Sequence, residues 1–219
     1  TSYRTTTKLG GYIMHTIELF GIPVYRKMLE GNGLDIVQKE LFEACDSVKF
    51  AQNRHWNSNT HELSENPFNE CVLTKNKCNN FLRHLDFCIK QYLNTLPNSS
   101  VSNHLSRHPN YRITASWFTK TKKGQNAHLH SHGDADIAGV YYVQSNTQDG
   151  DLSLRNINVV LQSNYVMSMI DPDKLITPEV GALYLWPGMI EHQTATNKTD
   201  HERISLSFNI RFNSFMDQE

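Results

Sequence analysis

Residues 126–142 read Asn-Ala-His-Leu-His-Ser-His-Gly-Asp-Ala-Asp-Ile-Ala-Gly-Val-Tyr-Tyr, which puts His128, His130, His132 and Asp134 at every second position. In extended chain, side chains two apart share a face, so two of these groups can converge on one ion, whereas a helix would scatter them. Far downstream, His192 closes the run Trp186-Pro187-Gly188-Met189-Ile190-Glu191-His192, and Arg203-Ile204-Ser205 follows. Two ligand-type residues close together, a distant histidine and then an arginine on an apolar strand form the layout of a non-haem iron site in a jelly-roll barrel. Taken alone, the spacing supports a metal-binding barrel and no more.

The rest of the composition narrows the partners. With 219 residues the chain can bury a core of its own. A net charge of -1 and a pI near 6.8 give no electrostatic case for nucleic acid or an anionic membrane. His104 and His108 lie in a polar stretch and read as surface residues. The four cysteines (Cys45, Cys71, Cys78 and Cys88) form no Cys-x-x-Cys pair and read as reduced thiols. No apolar run approaches the ~20 residues that span a bilayer. With no secretory signal pattern visible either, the expected location is cytoplasmic.

Something must position the histidines. Residues 1–13 are Thr-rich and read as a leader or an added extension, ahead of one domain over 14–219. Alternation from His15 to Tyr25 predicts an early strand. Residues 34–48 predict a helix with Leu34, Val37, Leu41, Phe42 and Cys45 on one face. A second helix is expected over 77–96, with the stripe Phe81, Leu82, Leu85, Cys88, Ile89, Tyr92 and Leu93. Residues 52–70 and 98–110 read as loop. From Tyr111 the texture changes to short β-rich runs at 111–119, 137–143, 152–154, 165–170, 181–186 and 204–212, divided by turns such as Gln148-Asp149-Gly150. The expectation is a mainly β protein with flanking helices: an N-terminal helical layer (14–110) on a double-stranded β-helix, or cupin-like jelly-roll, core (111–219).

The strings HLHSHGDADIAGVYYV, GDLSLRN, PEVGALYLWPGMIEHQT and RISLSFNI resemble the 2-oxoglutarate- and Fe(II)-dependent oxygenases. Within them, the chain is most similar to a group with H-x-H, a Gly-Val-Tyr-Tyr strand, a turn before the last histidine and an Arg-x-Ser-x-x-Phe-Asn end. The likeness spans about residues 15–212 and is specific over the last hundred. It implies an oxygenase fold with Fe(II), 2-oxoglutarate as cosubstrate and O2. It also implies a dioxygenase, expected to hydroxylate a substrate with release of succinate and CO2.

The resemblance makes His192 the distal iron ligand. The proximal pair has three readings: His128 with His130, His130 with His132, or His132 with Asp134. The superfamily's usual His-x-Asp is met literally by the last. That choice leaves only Ala135 and Asp136 to cross before the next strand, so His130 with His132 is favoured and Asp134 stays as the alternative ligand. Arg203 is expected to pair bidentately with the distal carboxylate of 2-oxoglutarate, with the Ser205 hydroxyl on the same strand face. Tyr141 is a further candidate for that carboxylate, while Trp117, Trp186 and Phe208 are expected to fill the barrel. Two other functions fit the same motifs: a non-catalytic cupin-like metal module, and a halogenase whose carboxylate ligand is missing. The substrate is not legible, and a homodimer through an edge strand is an allowed assembly.

Overall fold

The computed structural model describes every residue except 1–3, 10–11, 18–20, 53–59, 66–70, 97–109, 157–164, 166–168, 170 and 214–219. Its centre is a seven-stranded antiparallel sheet in the order β3-β10-β7-β12-β6-β5-β4. These are β3 (Tyr25–Met28), β4 (Phe50–Gln52), β5 (Glu62–Ser64), β6 (Tyr111–Thr121), β7 (Ile137–Gln144), β10 (Ala182–Pro187) and β12 (Arg203–Phe212). Facing it is a three-stranded sheet of β11 (His192–Thr194), β8 (Leu152–Arg155) and β9 (Asp173–Ile176) in that order. Separately, β1 (Arg4–Leu9) and β2 (Tyr12–Ile17) pair antiparallel with each other. Helices α1 (Gly31–Asp46), α2 (Val72–Lys75) and α3 (Asn79–Thr95) belong to the N-terminal half. The expected double-stranded β-helix with a helical layer is the fold observed.

Strand β7 explains why its sequence is apolar without a break. Ile137, Tyr141 and Val143 enter the core shared with the helices, while Ala138, Val140 and Tyr142 enter the core between the two sheets. Both faces are buried, so no polar alternation survives. Strand β12 differs: Ile204, Leu206, Phe208 and Ile210 feed the helix-side core, but the alternate positions are Arg203, Ser205, Ser207 and Asn209. One face of β12 packs, and the other is polar and faces inward. Gly139 makes this packing feasible, because a Cβ there would collide with the Phe208 ring.

The helical layer is tied down by specific bonds as well as by apolar burial. In α1 the buried side chains are Val37, Leu41, Ala44 and Cys45, one turn apart or adjacent on a single face. In α3 they are Phe81, Leu85, Cys88, Ile89, Tyr92 and Leu93. The Glu40 carboxylate of α1 accepts from the Asn80 and Phe81 backbone N–H groups at 3.0 and 2.8 Å. It thereby caps the N-terminus of α3, where the helix dipole favours negative charge. Gln38 Nε2 donates to the Val143 carbonyl at 2.8 Å and fixes α1 on β7.

Several expectations need correcting. The strand expected over His15–Tyr25 is not continuous: β2 ends at Ile17 and β3 begins at Tyr25. The expected 52–70 loop contains β5, a strand between β6 and β4 whose three residues show too little alternation to be legible. The Asp171-Pro172-Asp173 turn leads directly into β9, which was not expected. Of the expected strand over 165–170, Tyr165 and Met169 are described and are not in a strand, and the other positions, the linker holding His104 and His108, and much of the 52–70 loop fall outside the described residues. Among the described residues, no helix is long and apolar enough to cross a membrane.

Candidate metal centre

Backbone pairing brings the distant histidine to the proximal ones. His130 and His192 form an antiparallel bridge, with His130 N–H donating to the His192 carbonyl at 3.0 Å and His192 N–H returning to the His130 carbonyl at 2.8 Å. His132 sits in the following turn, where its N–H donates to the Gly188 carbonyl at 2.9 Å and its carbonyl accepts from Ala135 at 2.8 Å. Gly188 must be glycine for this docking, since a Cβ there would press on the carbonyl oxygens of Ala135 and His132. The result is that His130, His132 and His192 offer ligand atoms all within 4.8 Å of one another.

The three imidazoles are prepared alike. Each Nδ1 meets an oxygen: His130 the His128 carbonyl at 2.7 Å, His192 the Ile190 carbonyl at 3.0 Å, and His132 the Asn209 side-chain oxygen at 2.5 Å. A carbonyl acceptor places the proton on Nδ1 and leaves Nε2 as the lone-pair nitrogen, the form in which histidine binds metal. Burial, followed by neighbouring histidines, lowers the pKa of His132 to about 4 and of His192 to about 3. That of His130 is also lowered, again mainly by burial. All three are therefore neutral at pH 7. The donor set thus suits a divalent transition ion. Asp134 and His128 are exposed and are not among the converging groups.

The cavity beside these rings is lined by Trp117, Thr119, Val140, Tyr142, Leu152, Trp186, Arg203, Ser205 and Ser207 among others. Among the described residues, no Asp or Glu lines it. Arg203 is 2% exposed. Its Nη1 donates to the carbonyls of Asp149 (3.0 Å) and Gly150, and its Nη2 donates to Thr121 Oγ1 at 3.3 Å. Among the described residues its buried Nε–H has no partner, and no carboxylate side chain forms an ion pair with the guanidinium. A buried cation with a spare donor beside a cavity is suited to a carboxylate-bearing ligand. The wall behind Arg203 is rigid. Asn197, fully buried, donates to the carbonyls of Thr121 and His201, and its oxygen accepts from the N–H and hydroxyl of Thr199.

Sequence reasoning placed one aromatic residue on the wrong face. Tyr141 points into the helix-side core, 5.2 Å from the Phe81 ring, and its buried hydroxyl has no partner among the described residues. Its neighbour Tyr142 lines the cavity and lies opposite Ser205 in the strand register. The strand period is two, so an assignment one residue out of phase changes sides. Phe208 also belongs to the helix side, whereas Trp117 and Trp186 line the cavity. The Trp186 ring packs edge-on to His192 at 5.1 Å, and its buried Nε1–H has no partner among the described residues. His61, 5% exposed, was hidden in the supposed loop yet lines the cavity; its Nδ1 lies 3.1 Å from the Asn126 carbonyl.

Comparison with known proteins agrees with this geometry. Residues 115–209 match the family described as "Putative 2OG-Fe(II) oxygenase". No curated protein matches the chain by sequence. Among solved structures, the chain is similar to the non-haem alpha ketoglutarate dependent epimerase SnoN from nogalamycin biosynthesis, with TM-score 0.58 and 9% identity over 87% of this chain and 78% of that one. It is similar to a Pseudomonas putida prolyl-4-hydroxylase, with TM-score 0.52 and 14% identity over 87% and 93%. It is also similar to HygX from Streptomyces hygroscopicus, solved with nickel and 2-oxoglutarate, with TM-score 0.56 and 10% identity over 89% and 84%. At these identities the solved structures speak for the fold. The family match covers the segment bearing all three histidines and Arg203. Residues 115–209 of the chain are thus similar to the putative 2OG-Fe(II) oxygenases, in the segment that carries the clustered histidines and the buried arginine.

Proposed function

We propose that the protein is a dioxygenase that hydroxylates an organic substrate, with His130, His132 and His192 holding Fe(II) and Arg203 holding the distal carboxylate of 2-oxoglutarate. The observation that carries this reading is a single cavity bordered by three neutral imidazoles and by a buried guanidinium with a spare Nε–H. Bound iron, with 2-oxoglutarate and O2, supplies oxidative decarboxylation to succinate and CO2, coupled to oxidation of a substrate C–H bond.

The chain's own residues set up that chemistry. Arg203 orients the cosubstrate by charge and by its fork, and Ser205 and Tyr142, facing each other across β12 and β7, add hydroxyls to the same wall. Val140, Leu152 and Trp186 make the remaining wall apolar, which limits water around the reacting atoms. The hydrogen bonds to each Nδ1 hold the rings in place before any ligand arrives. Two other readings fit less well. A non-catalytic metal barrel has no use for a buried arginine beside its centre. A halogenase needs a missing third ligand, and His132 fills that position.

The test is conversion of 2-oxoglutarate to succinate by purified protein, measured with and without Fe(II) and O2. Turnover should need both and should vanish in His192→Ala. Candidate substrates are then screened for the mass gain of one oxygen atom. Failure to bind iron and 2-oxoglutarate when both are in excess would end the proposal.

A further inference from the structure

The three ring orientations are not secured in the same way. For His130 and His192 the acceptor is the backbone carbonyl two residues earlier, of His128 and of Ile190. Those acceptors belong to the local chain and survive any side-chain change. His132 relies instead on a side chain from a different strand, Asn209 of β12. The backbone of His132 is held independently by its bond to Gly188, by the turn to Ala135, and by Asp136, whose carboxylate accepts from the Phe212 N–H at 2.7 Å. These contacts fix where the Cα lies but leave the imidazole free to rotate about its own torsions. Resting on the proposed metal centre, we infer that Asn209 is a positioning residue: its side-chain oxygen accepts from His132 Nδ1–H, selects the Nε2 lone-pair tautomer and turns that nitrogen toward the ion.

Two features of β12 favour this role. Asn209 continues the inward-facing series Arg203, Ser205, Ser207, so one strand face supports the cosubstrate end of the cavity and the metal end together. The register of β12 against β6 also shifts between Asn209 and Ile210, where Asn209 pairs with Ala115 and Ile210 with Ile113. Bulges of this kind occur beside active sites, where they re-aim side chains.

Metal-free protein and its Asn209→Ala and Asn209→Asp variants are titrated with Co(II) at pH 7, read by the Co(II) absorption spectrum and by the rise in melting temperature. Loss of a hydrogen-bonded supporting group costs about 10- to 100-fold in metal affinity, so Asn209→Ala should bind Co(II) more weakly by that factor, with an altered spectrum. Asn209→Asp keeps an oxygen acceptor and should bind at least as tightly as the parent. Circular dichroism and melting of the metal-free proteins report folding separately. If Asn209→Ala does not fold, Asn209→Asp still decides: affinity at or above the parent's supports the inference, and a loss of about 10-fold or more overturns it. Parental affinity and spectrum in Asn209→Ala, or a loss in Asn209→Asp as large as that in Asn209→Ala, overturns the inference while leaving the metal centre intact. A parent protein that takes up no Co(II) overturns both.

Discussion

His130 and His192 exchange both of their backbone hydrogen bonds, so two residues remote in sequence are held face to face before any ion is present. Their ring centroids lie 4.3 Å apart, and that of His132 lies 5.2 and 4.9 Å from them. The proposed proximal and distal ligand positions are thus one element of sheet pairing, and the spacing of their imidazoles is inherited from backbone geometry. Ordering cost is met during folding and not on metal binding, which is the logic of a preorganised site.

His132 and Asp134 are the two candidates for the third ligand, and their environments differ. His132 joins the cluster and is hydrogen-bonded at Nδ1, while Asp134 is exposed. His132→Ala should weaken iron or Co(II) binding by more than the roughly 10- to 100-fold typical of losing a supporting group. Asp134→Ala should leave it unchanged. Isothermal titration of both variants checks this, and weakening by the aspartate change alone would reverse the assignment.

Arg203 should govern cosubstrate affinity. A charge-assisted hydrogen bond is worth about 1.5–3 kcal/mol, so Arg203→Ala should raise the Kd for 2-oxoglutarate about 10- to 150-fold. The alanine variant also strands the carbonyls of Asp149 and Gly150, which now accept from the guanidinium. Arg203→Lys is the companion experiment, since it keeps the charge but loses the fork. It should bind 2-oxoglutarate with intermediate affinity, and an unchanged Kd in both variants would place the clamp elsewhere.

What was legible in the sequence follows from where the constraints lie. The helices were readable because Val37, Leu41 and Cys45, and Phe81, Leu85 and Cys88, repeat at helical spacing against a single core. His130, His132 and His192 were readable because ligand chemistry restricts residue type. Tyr141 was misplaced because β7 is buried on both faces, which erases the polar alternation that would reveal its phase. His61 and Asn209 carry no local signal. Their roles arise from partners distant in sequence, Asn126 and His132, that only the folded sheet supplies.

The two tyrosines of β7 provide a direct check of that phase. Tyr142→Phe removes a hydroxyl from the cavity and should weaken 2-oxoglutarate binding by about 1.5–3 kcal/mol if it meets the carboxylate. Tyr141→Phe removes a buried hydroxyl that has no partner among the described residues. It should leave cosubstrate binding unaltered, and stability should stay level or rise by up to about 1 kcal/mol. Differential scanning calorimetry with ligand titration distinguishes the two, and the opposite pattern would mean that β7 is shifted by one residue.

Acid should destabilise the metal-free protein earlier than ordinary carboxylate titration would. Burial lowers the pKa of His61 and His132 to about 4 and of His192 to about 3, against about 6.5 in the unfolded chain. Between these limits the unfolded state holds protons that the folded state lacks, so stability rises with pH through this window and falls as pH drops below 6.5. These histidines contribute their full stability above that value and lose it progressively toward pH 3–4. On the proposed assignment, bound metal competes with protons for Nε2 of the three clustered histidines, so loading should move the acid transition to lower pH. Melting temperatures from pH 7.5 to 4.5, with and without Co(II), measure both effects. His61 is not among the clustered ligands; His61→Asn should therefore flatten the metal-free profile while preserving the metal-dependent shift. A melting temperature that stays level from pH 7 to 5 would show that these imidazoles are not held neutral by burial.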